Sequence, residues 1–304
     1  MLVVTNSTAV FFRRAQADMG VLRAEAETLQ QQVATGSRLQ RSSNDPVASA
    51  RLRSLDRAER LAGVESANAA RASEELSSAS ARLSDIANAL IRARELSLQA
   101  ASDATSPAIR SVLADEIAQL RESVLASANA VSLTGRALFG GDRAAPAYVL
   151  DAAGNASYAG APTSVALEIA TGVSIERGLT GPAAFGFDRG GSPTDVFAFL
   201  LELEAGLRSG VDPAQFARDA VQDLDGAIAA IGKGQTVIGA RLGWIETVQD
   251  AQTQRLEDRA EETGAIGGVD LAVALTRMQQ ALTVLEASQA SFARLASLSL
   301  FNRL

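Results

Sequence analysis

The chain has 304 residues, enough for one large domain or two modest ones, and is 47% hydrophobic, much of that Ala, with only 4% aromatic. It contains no Cys and no His, which removes disulfides, thiol chemistry, the commonest metal ligand and the commonest general base. The net charge is −7, yet residues 1–44 carry +2 and residues 270–304 carry +1, so the acid sits in the middle. Nucleic-acid binding asks for the reverse, a concentrated basic stripe.

In chain order, residues 5–34 read as the first helix. Thr5, Thr8, Phe12, Ala15, Met19, Leu22, Ala26, Leu29 and Val33 alternate by three and four, the seam of a coiled coil. Gly36 suits the left-handed residue that ends a helix. Asn44 or Asp45 can cap the next helix, with Pro46 at its first position, over about 46–103. Its apolar positions include Leu52, Leu55, Leu61, Val64, Leu76, Leu83, Ile86 and Leu90, and its length suggests a rod. Thr105-Ser106-Pro107 breaks the rod and starts a helix over 107–132, whose buried face is Ile109, Leu113, Ile117, Leu120 and Val124. A short break between two long helices implies an antiparallel pair.

From 137 to 190 the texture changes to Gly, Pro and short β-branched runs. Tyr148–Leu150 and Ser157–Ala159 flank Asp151–Asn155, one hairpin; Val165–Ile169 and Val173–Ile175 flank Thr171-Gly172, a second. Helix returns at Ser192-Pro193-Thr194-Asp195 and runs through Val196 to Leu207. Asp212 and Pro213 restart it over 213–263, with a bend near Gly232-Lys233-Gly234 or a close helix approach there. Gly264 to Gly268 is expected to form a hinge. The last segment, Asp270 to Ala296, repeats the heptad at Leu271, Leu275, Met278, Leu282, Leu285, Gln289, Phe292 and Ala296, flanked by Val273, Ala274, Ala281 and Ala287.

A strong apolar face in a terminal segment needs a partner, and the matching seam at the other end is the candidate. Two ordinary amphipathic helices on a globular core are the plainer alternative. The expected fold is mainly α, a long antiparallel helical bundle or rod with a terminal coiled coil and a small inserted β region. Its divisions are 1–42 with 268–304, 43–136 with 191–267, and 137–190. The candidate assembly interface is Phe12, Met19, Leu22, Leu29, Val33, Leu271, Leu275, Met278, Leu282, Leu285 and Phe292.

Residues with catalytic or ligand-binding patterns are scarce. Gly232-Lys233-Gly234-Gln235 lacks the spacing of a phosphate loop. Glu257, Asp258, Glu261 and Glu262 alternate with Arg255 and Arg259, the pattern of a solvated helix face. No catalytic residue, cofactor or metal site is expected. There is no run of 18 apolar residues, and the first residues lack the pattern of a cleavable secretory signal.

Four stretches carry a family resemblance. Thr35-Gly36-Ser37-Arg38-Leu39 with Ser43-Asn44-Asp45-Pro46-Val47-Ala48 resembles the TGKRIN…SDDPAG turn of bacterial flagellins and their junction relatives, with Asn44-Asp45 where Asp-Asp is usual. Gln289–Ala293 with Leu298–Leu304 is similar to the C-terminus of the hook-associated protein 3 branch, Arg303 standing where Tyr is frequent. Gly135-Arg136-Ala137-Leu138-Phe139-Gly140-Gly141 resembles the GRYLFAG segment that opens the β region of that branch, and Asp195-Val196-Phe197 the helix start after it.

The resemblance implies a secreted structural component of the extracellular flagellum that connects hook to filament, not an enzyme; flagellin itself is the alternative. It implies self-assembly in a ring, contacts with a neighbouring hook-associated protein and flagellin, unfolded export by the flagellar type III apparatus, and an export chaperone at the C-terminal region. It implies neither nucleic acid nor membrane insertion. A free-standing coiled-coil scaffold would lack the β region, and an enzyme would need titratable groups in a cleft.

Overall fold

Three helices begin at a proline, and in each the preceding side chain accepts a backbone N–H of the first turn. Asp45 Oδ1 accepts from Ala48 N at 3.0 Å, Ser106 Oγ from Ile109 N at 3.3 Å, and Asp212 Oδ1 from Gln215 N at 3.0 Å. These caps start α2 (Pro46–Ala100), α3 (Pro107–Ala128) and α6 (Pro213–Gly267). The computed structural model describes residues 2–144, 146–209 and 211–301, with side chains from 10 to 295 apart from 145 and 210. The other helices are α1 (Leu2–Thr35), α4 (Gly181–Phe185), α5 (Val196–Ser209) and α7 (Leu271–Phe301). The protein is mainly α, with a small β region inserted between α3 and α5.

The chain divides into two units, residues 1–60 with 255–304, and residues 61–254. The sequence suggested divisions at 42/43 and 267/268, and a separate β region. Local ties explain the difference. Arg51 forms a bidentate pair with Glu262 at 2.5 and 2.9 Å, and Arg259 Nη1 donates to Ala58 O at 3.2 Å. The start of α2 and the end of α6 thus belong with the first unit.

In the second unit, α2 buries Ala62, Glu65, Ala69, Ala72, Leu76, Ala79, Leu83, Ile86, Leu90, Ala93, Ser97 and Ala100, an unbroken three-four alternation. Leu61 and Val64, read from the sequence as apolar positions of the rod, point outward because this seam of mostly small residues sets the phase. On α3 the buried column is Arg110, Leu113, Ala114, Ile117 and Val124, while Ile109 is half-exposed. Arg110 takes the inner place because α2 ends with carbonyls that need donors. Its Nε donates to Ala100 O at 3.0 Å and its Nη2 to Ser102 O at 2.9 Å. With Arg92 Nε 2.7 Å from Glu116 Oε1, this fixes α2 and α3 as an antiparallel pair.

Helix α6 is unbroken through Gly232-Lys233-Gly234. Gly234 lies in its buried column, where an added Cβ would come within 3.3 Å of Leu83 Cδ1, so this glycine lets α2 approach closely. The hinge expected at Gly264 to Gly268 is shorter than that. The helix continues to Gly267, and only three residues, Gly268–Asp270, separate it from α7.

The strands form three antiparallel hairpins among the described residues: β1 (Tyr148–Leu150) with β2 (Ala156–Tyr158), β3 (Ala166–Ala170) with β4 (Val173–Glu176), and β5 (Gly186–Arg189) with β6 (Ser192–Asp195). The third replaces the helix start expected at Ser192. Gly190 and Gly191 both have positive φ, 60° and 92°, as a two-residue turn of this hand demands. Asp195 then caps α5 through Phe197 N and Ala198 N at 2.9 and 2.8 Å. The β region shares the core of its unit: Phe139, Tyr148, Ile169 and Phe185 are buried together with Leu83, Phe199 and Leu200.

Candidate assembly surface

The first unit is built on two long helices paired antiparallel. Phe12 and Phe292 meet edge to face with centroids 5.2 Å apart, Leu22 lines one furrow with Ala281, and Ala26 lines another with Met278. Near the far end, Ser37 and Gly268 form an antiparallel bridge. Arg38 N donates to Gly267 O at 2.8 Å and Val269 N to Gly36 O at 3.1 Å. Gly36 has φ 69°, which an L side chain rarely adopts, and its carbonyl is thereby free to reach Val269.

The turn that carries the family likeness therefore has a physical task. Arg38 Nη2 donates to Ile266 O at 3.0 Å and lies 3.4 Å from Asp45 Oδ2. Gln32 Nε2 donates to Arg38 O at 3.0 Å, and Gln40 Nε2 to Thr28 O at 3.0 Å. One arginine links the end of α6 to the residue that caps α2. Asp270 caps α7 through Ala272 N and Val273 N, both at 3.0 Å.

On α1 the sequence set the phase: Phe12, Ala15, Met19, Leu22 and Val33 are half-buried and Ala26 and Leu29 buried, while Val10, Phe11 and Val21 face out. The side chains of Thr5, Thr8, Ala296 and the Leu298–Leu304 motif lie outside the described residues. On α7 the covered heptad is Ala274, Met278, Ala281, Leu285, Ser288 and Phe292. Met278, Leu285 and Phe292 belong to the expected seam. Leu271, Leu275 and Leu282 do not: they are 50%, 41% and 42% exposed. Small residues let α1 approach, so the Ala274–Ala281–Ser288 column faces it and the leucines are turned aside. The flanking Ala274 and Ala281 were the available signal for this column.

Of the acidic cluster on α6, Glu262 is engaged by Arg51. That hydrogen bond holds the Glu262 carboxyl below the usual carboxylate range, and the Ala48 N–H does the same for Asp45. A carboxyl whose folded pKa is depressed adds stability above its unfolded value, about 4, and that contribution disappears as pH falls through the folded value. Thermal melting of the full chain followed by circular dichroism should be flat from about pH 8 to 6, since no His titrates, and fall below about pH 4. The double variant Asp45→Asn, Glu262→Gln should show a smaller acid decline; an unchanged decline would remove these two groups from the explanation.

Among the described residues no three carboxylates cluster to hold a metal ion, and no helix is long and apolar enough to cross a membrane. Tyr148 is pushed well above its usual range by burial, which keeps the phenol protonated.

Residues 7–144 match the bacterial flagellin N-terminal helical region. Flagellar hook-associated protein 3 of Escherichia coli K12 is 24% identical over 307 residues, spanning 93% of this chain and 94% of that protein. The chain is thus similar to the flagellins over its N-terminal part and to a hook-associated protein 3 over nearly its whole length.

Solved structures share its fold. Flagellar hook associated protein-3 of Legionella pneumophila superposes with a TM-score of 0.63 at 16% identity, covering 70% of this chain and 98% of that one. The flagellar junction protein FlgL of Legionella pneumophila gives 0.60 at 18%, covering 71% and 99%.

Proposed function

We propose that the chain is a structural component of the bacterial flagellum that joins hook to filament and works by assembly through α1 and α7. One observation carries the reading. The two ends of a chain that aligns with a hook-associated protein 3 over nearly its whole length form a bare antiparallel pair, with large apolar side chains left in water. Burying one such side chain fully is worth about 1.5–3 kcal/mol, so packing against further subunits provides the drive. The interface comprises Phe12, Met19, Leu22, Leu29, Val33, Leu271, Leu275, Met278, Leu282, Leu285 and Phe292. The unit of residues 1–60 with 255–304 is the assembly domain, and the helical remainder with its hairpins is the rod.

The finer reading is a ring of copies between a neighbouring hook-associated protein and flagellin. The chain reaches that place by flagellar type III export, and a chaperone shields its C-terminal region beforehand. Large apolar side chains exposed on the described part of α7 support this, because they would otherwise associate before export. The role is mechanical, with no catalytic residue.

A host strain lacking its own copy tests the proposal. Its flagellin should leak into the medium as monomer while hooks remain bare, and this chain should restore attached filaments. Deletion that removes flagellin itself from cells and medium would mean the chain is the filament subunit.

A further inference from the structure

The hairpin region holds a groove that the assembly surface does not use. It is lined by Tyr148 and Tyr158 from β1 and β2, Pro182 from α4, Phe187 and Asp188 from β5, and Asp195 at the end of β6. All six belong to the second unit. The volume is about 520 Å³, inside the range of about 300–1,000 Å³ usual for ligand pockets. Pro182 and Asp188 are exposed, so the groove is open to solvent, while Tyr158, Phe187 and Asp195 are half-buried. The chain has two Tyr, and both are here.

Only 3% of Tyr148 is exposed, yet among the described residues its hydroxyl makes no hydrogen bond. Buried phenols ordinarily find a partner. Tyr158 gives the contrast, its hydroxyl donating to Ala161 O at 2.8 Å. The Tyr148 ring is fixed in place. It packs on Phe197 with centroids 4.5 Å apart, and a Cβ added at Gly181 would come within 2.5 Å of its Oη. Burial, and after it the charge of Asp195, hold the phenol protonated. A fixed O–H donor is thus left at a groove with nothing in the chain to receive it.

The charge there is one-signed. Asp188 Oδ1 accepts from Gly191 N at 2.6 Å, and Asp195 Oδ1 from Phe197 N and Ala198 N, which leaves one oxygen of each carboxylate. Arg189, the nearest base in sequence, is held by Glu202 and Asp223 at 2.5 and 2.7 Å and lies over the Phe199 ring. Among the described residues no Lys or Arg lines the groove. Anions are therefore repelled, and a cation meets two negative charges and the negative faces of aromatic rings. A guanidinium suits this best, being planar, able to stack on rings and able to donate two parallel N–H groups to a carboxylate. The groove is larger than that one group, which leaves room for flanking peptide, and a peptide carbonyl is the acceptor that Tyr148 lacks. We propose that this groove binds an arginine side chain of an extended peptide segment from another protein, the guanidinium against Asp188 and Asp195 and a main-chain carbonyl on the Tyr148 hydroxyl. The hairpin region thereby has a binding task of its own, independent of α1 and α7.

Isotope-labelled tyrosine rings in the full chain give magnetic-resonance signals from Tyr148 and Tyr158 alone, so both reporters sit in the groove. Titration with acetyl-arginine N-methylamide should shift both and saturate, with a dissociation constant on the order of 1 mM. The citrulline counterpart, alike in shape but uncharged, should bind at least about fivefold more weakly. Equal binding of the two probes, or no saturable shift, would overturn the proposal, as would tighter binding of a methyl glucoside. Tyr148→Phe removes only the unpartnered hydroxyl. It should weaken the arginine probe about three- to tenfold, read at Tyr158, with no loss of melting temperature. A lower melting temperature with unchanged probe affinity would make the hydroxyl structural and sink the assignment. Asp188→Asn keeps an acceptor for Gly191 N and should weaken the arginine probe while leaving the citrulline probe unchanged. Equal loss for both probes would count against a charge contact.

Discussion

Leu29→Asp will separate α1 from α7 in the isolated chain. Leu29 is the most buried large side chain of the α1 seam, 8% exposed. Replacing it forfeits about 1.5–3 kcal/mol of burial and adds the penalty of a carboxylate facing α7. A total of about 3–5 kcal/mol exceeds what a two-helix contact with a partly exposed seam supplies. The 34 residues of α1 and 31 of α7 should lose helix together, seen as a drop in the far-ultraviolet dichroism of the full chain. Trp244, the single Trp, lies in the other unit, and its fluorescence transition in urea should keep its midpoint. Leu282→Asp is the contrasting variant. Its site is already in water, so the dichroism should stay at the wild-type level. Full helix content in Leu29→Asp would show that the pair does not depend on this seam.

Phe185→Ala will cost the second unit about 3–5 kcal/mol. Phe185 is fully buried at the end of α4, with Phe139, Phe197 and Tyr148 at centroid distances of 4.9, 5.5 and 5.9 Å, all three edge to face. These rings come from the loop after α3, from β1 and from α5, so the cavity would loosen the root of the β region and not one helix alone. Urea unfolding followed by Trp244 should show a lower midpoint with a similar slope. A shift equivalent to under about 1 kcal/mol would mean that the neighbouring rings collapse into the space.

The motifs that set helix starts were legible in the sequence. Asp45-Pro46, Ser106-Pro107 and Asp212-Pro213 each join a side-chain acceptor to a residue that needs no N–H partner, and all three begin helices. Two hairpins were legible from their turn residues. The third was not, because Ser192-Pro193-Thr194-Asp195 also reads as a helix entry; the Gly190-Gly191 pair was the decisive signal. Ile109 was misplaced because hydropathy ranks it above Arg110, whereas α2 needed a guanidinium at its last carbonyls.

By itself the sequence determined that the ends of the chain are heptad helices, and on α1 which side is the seam, because Phe12, Met19, Leu22, Leu29 and Val33 keep one three-four alternation while Val10, Phe11 and Val21 fall outside it. Only the tertiary structure decided which side of α7 meets α1. Its apolar surface extends around more than half the helix, so periodicity fixes the spacing without choosing a face. The choice fell to shape: Ala274, Ala281 and Ser288 permit close approach of a helix, and the leucines are left facing outward.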